Sequence, residues 1–321
     1  MIRLGRMVVP LVASGGLLVS LSTSAVATAG AQRNGPAHVM HVKAGKPAKP
    51  GGGGTQLASH GGPVEHSAKL YVTYWGWTSD PSGEAAYFQN FLGGVGGSTW
   101  INSTTQYCDN VPTGTTNCTT VAGAVYTGNP SGQLNGTWSD NANPLPSRIT
   151  QSALAAEAAS SAAHFGNLTA ASNADAQYII ATPTGHSTSG FGTQFCAWHS
   201  STSSSYGTLA YTNLPYITDA GASCGQNFVN GGSAGLLDGV SIVGGHEYGE
   251  SVSDPFPNSG WLDGSGRENG DKCAWISSGQ GASANITLPT GTFAVQSLWS
   301  NNFNSNAGGC VISYVSATNQ H

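Results

Sequence analysis

The chain has 321 residues, of which 39% are hydrophobic and only 8% charged, and its formal net charge is −5. After residue 66, four basic residues (Lys69, Arg148, Arg267 and Lys272) stand against fourteen acidic ones. Such a surface repels nucleic acid and anionic membrane, so neither is expected as a partner.

Residues 1–30 read as a secretory signal. Arg3 and Arg6 form its positive start, residues 7–21 its apolar stretch, and Ala25-Val26-Ala27 a small-residue cleavage site. A secreted, extracellular, monomeric protein is expected. The apolar stretch is too short, and too interrupted by Pro10, Gly15 and Gly16, to stay in a bilayer. Residues 31–66 are expected to be a linker or pro-segment, because Lys43, Lys46, Lys49, Pro47, Pro50 and four successive glycines at 51–54 offer little to bury. Residues 67–321 then form one domain of about 250 residues, within the ordinary range for a single large domain.

Taken in order, residues 69–77 (KLYVTYWGW) are β-branched and aromatic, as in a strand. Ser79-Asp80-Pro81 is a cap followed by a proline, which opens a helix running to about Leu92. Residues 122–127 are a second strand, and a Pro- and Asn-rich loop at 129–146 leads into an alanine-rich helix at 147–165 closed by Gly166. Residues 176–182 (AQYIIAT) read as a buried strand, 185–205 as a Gly/Ser-rich loop, and 207–212 as another strand. A helix is expected over 235–253, although Gly244, Gly245 and Gly249 each cost about 1 kcal/mol relative to alanine. Residues 292–299 and 310–315 are the last strands. Strands alternating with helices indicate an α/β layered single domain, with a mixed sheet flanked by helices. Six cysteines in an exported chain imply disulfide stabilisation. Connectivity is open, and pairing neighbours along the chain gives the simplest set: Cys108 with Cys118, Cys196 with Cys224, and Cys273 with Cys310.

Residues 237–275 hold seven of the fifteen acidic residues. At their centre is His246-Glu247-x-x-Glu250. Positions i and i+4 share a helix face, so His246 and Glu250 can converge as nitrogen and oxygen ligands of zinc. Glu247, the neighbour of a ligand, is then placed to act as general base toward an activated water. The better-known HExxH pattern has histidine where this chain has Glu250. A third ligand must come from Asp254, Asp263, Glu268 or Asp271, with Glu268 and Asp271 favoured because Cys273 anchors them near the C-terminal strand. Residues 263–271 also carry the alternating oxygens of a calcium loop, without the spacing of an EF-hand. His186 and His199 are candidate substrate-polarising groups in a loop after a strand. Cys196 and His199 can also be read as nucleophile and base, although the even cysteine count favours a disulfide.

Several blocks resemble a family of secreted proteins that includes the plant Exordium or phosphate-induced proteins and bacterial relatives. They are Gly61-Gly62-Pro63-Val64, Leu70-Tyr71-Val72-Thr73-Tyr74-Trp75-Gly76, Phe195-Cys196-Ala197-Trp198-His199, the segment 238–273 with Ser253-Asp254-Pro255-Phe256, and Val295-Gln296-x-x-Trp299-Ser300-Asn301. The plant members lack a pair matching His246-Glu247, so their growth-related role is not carried over. The resemblance to the bacterial members implies a metallopeptidase.

Two functions follow as expectations. The first is a secreted zinc-dependent hydrolase acting on protein or peptide substrates. The second is a non-catalytic, Exordium-like extracellular module that binds cell-wall polymer or a partner and holds calcium structurally.

Overall fold

The computed structural model describes Met1, residues 34–43 and residues 56–321. The expected signal, apart from Met1, and residues 44–55 lie outside the described residues.

The described strands and helices are β1 (His38–His41), β2 (Lys69–Trp75), α1 (Glu84–Val95), β3 (Leu134–Asp140), α2 (Gln151–His164), β4 (Ala176–Ala181), β5 (Phe195–Ser204), β6 (Gly207–Leu214), α3 (Asp238–Ser253), the hairpin β7 (Ala284–Leu288) and β8 (Gly291–Val295), and the pair β9 (Leu298–Ser300) and β10 (Gly309–Val311), with shorter strands and 3-10 turns between them. Six strands form one mixed sheet in the order β1-β5-β6-β4-β2-β3. β2, β3, β4 and β6 run parallel, while β5 is antiparallel to both β6 and β1. α2 packs on one face through Leu154, Ala155, Ala158 and Ala162. α1 and α3 pack on the other, where Phe88, Phe91, Val240, Ile242 and Val243 meet Leu70, Val72 and Ile179. The expected layered α/β domain is therefore present. Among the described residues no helix is long and apolar enough to cross a membrane.

The three disulfides are those between neighbours along the chain. Cys108 is bonded to Cys118, Cys196 to Cys224, and Cys273 to Cys310. Cys118 opens a short 3-10 turn, Cys118–Thr120, and its bond to Cys108 fastens that turn to the two-stranded pairing of Cys108–Asp109 with Val125–Tyr126. Only residues 125 and 126 of the strand expected at 122–127 form that pairing, and both are exposed.

Local signals set most of the elements. The Asp80 carboxylate accepts from Glu84 N and Ala85 N at 2.9 and 3.0 Å, capping α1. Thr150 Oγ1 caps α2 by accepting from Ala153 N at 3.1 Å. Three expectations are corrected. The loop expected at 129–146 contains β3, an edge strand in which half-buried and exposed residues alternate and only Asp140 is buried, so its apolar content is too low to announce it. The loop expected at 185–205 contains β5, ten residues long and buried over its first eight. Serine is not among the residues enriched in strands, but here the hydroxyls of the strand are satisfied from outside: Ser200 Oγ donates to Pro36 O at 2.9 Å and Thr202 Oγ1 to Asn34 Oδ1 at 3.2 Å.

Those partners belong to the third correction. Within the expected linker, residues 34–43 add β1 to the sheet edge, with His38 opposite His199 and Val39 opposite Trp198. Met40 is fully buried in the core beneath α3. Farther on, Ala58–Ser59 pairs with Trp261–Leu262. Two adjacent apolar residues, Val39 and Met40, suffice once an unpaired sheet edge is there to receive them.

Candidate metal centre

α3 is buried along its whole length, although helices of globular proteins ordinarily bury one stripe. Its glycines explain how. A Cβ on Gly244 would lie 2.3 Å from Phe88 Cε2, so only glycine lets α1 approach this closely. The glycines that weaken the helix in isolation are therefore the ones that let it pack as a central element. Being enclosed, α3 carries His246, Glu247 and Glu250 into the interior at 0–1% exposure.

Three other walls face these side chains. The loop bearing Glu268 and Asp271 is tied down by the Cys273–Cys310 disulfide and by Asn269, whose Nδ2 donates to Gly249 O at 2.8 Å and Ser253 Oγ at 2.7 Å. At its tip a Cβ on Gly270 would fall 2.8 Å from His246 Nδ1 and 2.9 Å from Glu250 Oε1. β5 supplies His199 and β1 supplies His38. Three imidazoles and four carboxylates thus meet in one place.

The spacing is that of groups arranged around an ion. His246 Nε2 lies 3.1 Å from Glu250 Oε1 and 3.9 Å from Asp271 Oδ1. His38 Nε2 is 2.6 Å from Asp271 Oδ2, and its Nδ1 is 3.2 Å from Glu268 Oε1. His199 Nδ1 is 3.1 Å from Glu247 Oε2 and 3.7 Å from Glu250 Oε2, and its Nε2 is 3.5 Å from Glu268 Oε2. One ligand atom each from His38, Glu250 and Asp271, and likewise from His199, Glu250 and Glu268, lie within 4.8 Å of one another. His199 Nε2, His246 Nε2, Glu247 Oε1, Glu250 Oε2 and both Glu268 oxygens are buried without an aligned hydrogen-bond partner. Buried polar atoms are ordinarily satisfied. So many orphans gathered in one buried cluster fit a divalent cation, and the mixed nitrogen and oxygen donors fit zinc.

Protons fill the same role when no cation does. Burial disfavours a charged His246, yet Glu250 beside it, with Glu247 and Asp271, raises its pKa to about 10. His38 is raised to about 9, since Glu250 and Asp271 outweigh its burial. Burial raises Glu250, but His246 and His38 prevail and hold it down at about 2. Burial and the neighbouring Glu250, Asp254 and Asp271 push Glu268 well above the usual carboxylate range. Burial likewise raises Glu247, against the pull of His199. A metal ion would displace these protons.

Of the four acids expected to complete the site, the fold brings Asp271 to His38 and His246 and Glu268 to His199 and Glu250, while Asp254, though near enough to act on Glu268, and Asp263 are engaged by other donors. Asp254 accepts from Ser259 N and Gly260 N in the turn after α3. Asp263 accepts from Ser265 N, Arg267 Nη2 and Lys272 Nζ at 2.8, 2.8 and 3.1 Å, which leaves its carboxylate engaged by donors rather than free for calcium. His186 is exposed on its loop, with Nδ1 at 3.1 Å from Thr184 O. His199 lies on a strand rather than a loop and is fully buried.

The cysteines are structural. Cys196 is in its disulfide with Cys224, so it is no nucleophile. Cys108 and Cys118 are buried in the smaller core cluster with Leu57, Tyr107 and Trp261, and with both sulfurs in one bond neither is free to ligate an ion. Cys273 and Cys310 act on the centre only by holding the loop of Glu268 and Asp271.

Sequence reasoning missed His38 and Gln296. The first lay in a Gly/Pro/Lys-rich stretch, where its apolar neighbours were the only signal. The second is a neutral amide whose role depends on what it touches. No known family, no curated protein and no solved structure compared with the chain matches it, so the resemblance to the Exordium proteins stands on the quoted residue blocks alone.

Proposed function

We propose that the chain is a secreted zinc-dependent hydrolase whose substrates are proteins or peptides. The observation that carries this reading is a buried cluster in which one ligand atom each of His199, Glu250 and Glu268 lie within 4.8 Å of one another, His246 Nε2 lies 3.1 Å from Glu250 Oε1, and His199 Nε2, His246 Nε2, Glu250 Oε2 and both Glu268 oxygens have no aligned hydrogen-bond partner among the described residues. His246 and Glu250 are the ligands on α3, and Glu268 or Asp271 completes the set. When bound, the ion supplies Lewis acidity that activates water and polarises a scissile carbonyl. Glu247 is the general base. Its Oε2 is held by His199 Nδ1 at 3.1 Å while its Oε1 is left free to accept a proton.

The alternative, a non-catalytic Exordium-like module with structural calcium, has less support. Calcium takes oxygen ligands, whereas imidazoles enter this cluster from three sides. Elemental analysis of the purified protein, together with a protease assay with and without chelator, separates the two. About one equivalent of zinc and chelator-sensitive hydrolysis are expected. A protein that neither carries nor takes up a transition metal, or whose hydrolysis ignores the chelator, overturns the proposal.

A further inference from the structure

We propose that residues 34–43 are a self-supplied occupant of the centre. In this reading the segment lies along β5 where an extended peptide substrate would lie, and His38 occupies the ion's exchangeable position. The inference rests on the metal-centre reading above and adds to it a mode of substrate binding and a mode of self-inhibition.

Three observations carry it. The first is the path of the segment. β5 pairs with β6 on one side and with β1 on the other, so β1 covers what would otherwise be an open edge. Adding a strand to an open edge is a general way to bind an extended peptide, with backbone bonds giving affinity and alternate side chains giving specificity. Its flanking backbone bonds, Gly35 N to Ser201 O at 2.7 Å and Lys43 N to Ser223 O at 2.9 Å, are those a peptide of any sequence could make.

The second is where the segment closes the site. His246, Glu247, Glu250, His199 and Glu268 have side chains at most 1% exposed, whereas His38 and Asp271 retain 12% and 15%. His38 is thus at the mouth of the cluster, between solvent and the buried ligands. Lifting β1 uncovers His199 and Glu268, the wall toward which a substrate carbonyl would have to come.

The third is the alternation of side chains. Two residues beyond His38 on the same strand, Met40 is fully buried in the core under α3, while Val39 faces the α2 side. In a substrate lying in this register, the residue two positions C-terminal to the one at the ion would enter the Met40 socket and should be apolar. The segment is joined to the rest of the domain through residues 44–55, whose sequence holds Lys46, Pro47, Lys49, Pro50 and four successive glycines.

The test uses the full-length chain loaded with Co²⁺, whose visible absorption reports the ligands of the bound ion, and acetohydroxamate as the probe of an open position. Wild type, His38→Ala and His38→Gln are compared. The wild-type spectrum should not respond to millimolar acetohydroxamate. Both variants should keep about one equivalent of metal, show an altered spectrum, and bind acetohydroxamate about 100-fold more tightly, because a latch closed about 99% of the time weakens apparent affinity by that factor. Hydrolysis of a peptide with an apolar residue at the Met40 position should rise by about tenfold or more on the same reasoning. Should His38→Ala fail to fold, His38→Gln, which keeps polar bulk on the strand, carries the comparison alone. Loss of the ion from the variants would make His38 a permanent ligand and overturn the proposal. Spectra and acetohydroxamate binding identical to wild type would overturn it too, by placing His38 away from the ion. A wild-type chain that takes up neither cobalt nor zinc would instead bring down the metal-centre reading itself.

Discussion

His246 and Gln296 fix one another's hydrogen bonding. His246 Nδ1 lies 3.2 Å from Gln296 Oε1, and the Gln296 amide already donates to Gly270 O at 2.8 Å and Ser297 O at 3.2 Å. With its NH₂ so occupied, Gln296 can only accept from His246. A hydrogen therefore sits on Nδ1, so Nε2, once its own proton is displaced, is the nitrogen that presents a lone pair to the cluster. Replacing Gln296 with leucine should lower zinc affinity by about 10- to 100-fold, the usual effect of removing a partner that orients a metal-binding histidine. Competition against a chromophoric chelator measures this, and unchanged affinity would refute the assignment.

Glu247 and Glu250 are separable by the same kind of measurement. Glu247→Gln should keep the ion yet lose hydrolysis by at least about a hundredfold, the low end of a general-base contribution. Glu250→Gln should lose ion and hydrolysis together, since a neutral amide is a poor zinc ligand. Full activity in Glu247→Gln would mean that its carboxylate merely orients His199.

Gly270 is where the loop of Glu268 and Asp271 touches α3. A methyl group there would crowd His246 and Glu250, so Gly270→Ala should destabilise the protein by about 1–3 kcal/mol, as overpacking does, and weaken zinc binding. Gly231→Ala, whose Cβ would meet nothing within 4 Å, is the control. Equal melting temperatures for the two variants would contradict the packing described.

Stability should depend on pH in opposite senses without and with the ion. His246 and His38 have pKa values raised from 6.5 to about 10 and about 9. Their contribution to the metal-free protein is complete below pH 6.5 and is lost as pH rises through those values. Glu250, lowered from 4.5 to about 2, contributes fully above pH 4.5 and less as pH falls toward 2. For these groups the metal-free chain is therefore most stable between pH 4.5 and 6.5. Zinc must displace the His246 proton, so its added stabilisation should grow with pH. Thermal unfolding from pH 5 to 9, with zinc and with chelator, tests this. Parallel curves would mean that the ion does not compete with those protons.

The Cys273–Cys310 bridge closes a loop of separation 37 next to Asp271. Replacing both cysteines with serine should cost about 3–4 kcal/mol by the loop-entropy relation and reduce zinc affinity as the loop loosens. The Cys108–Cys118 bridge, of separation 10 and remote from the ligands in sequence, is the control: serine at Cys108 and Cys118 should lower stability while leaving zinc affinity unchanged. In the wild type no thiol should react under denaturing, non-reducing conditions. Equal losses of zinc affinity in the two double variants would contradict a specific role for the Cys273 loop.

Much of this protein can be read along the chain because it depends on neighbours in sequence. The strands at 69–75 and 176–181, the capped helices, and the one-turn spacing that puts His246 and Glu250 on one face all follow from local pattern. The acidic concentration at 238–271 also marks where chemistry collects, since buried carboxylates need a reason. What remained hidden has a different physical origin. β5 is rich in serine and threonine and becomes a buried strand only because β1 and β6 pair with both of its edges. Asp263 and Asp271 look alike in sequence, yet one is satisfied by Arg267 and Lys272 while the other meets His38 and His246. His38 joins Glu250 and Asp271 across more than two hundred residues, through strand pairing at a sheet edge. Backbone pairing carries little sequence signature, so no local pattern announces which distant segment will take that edge.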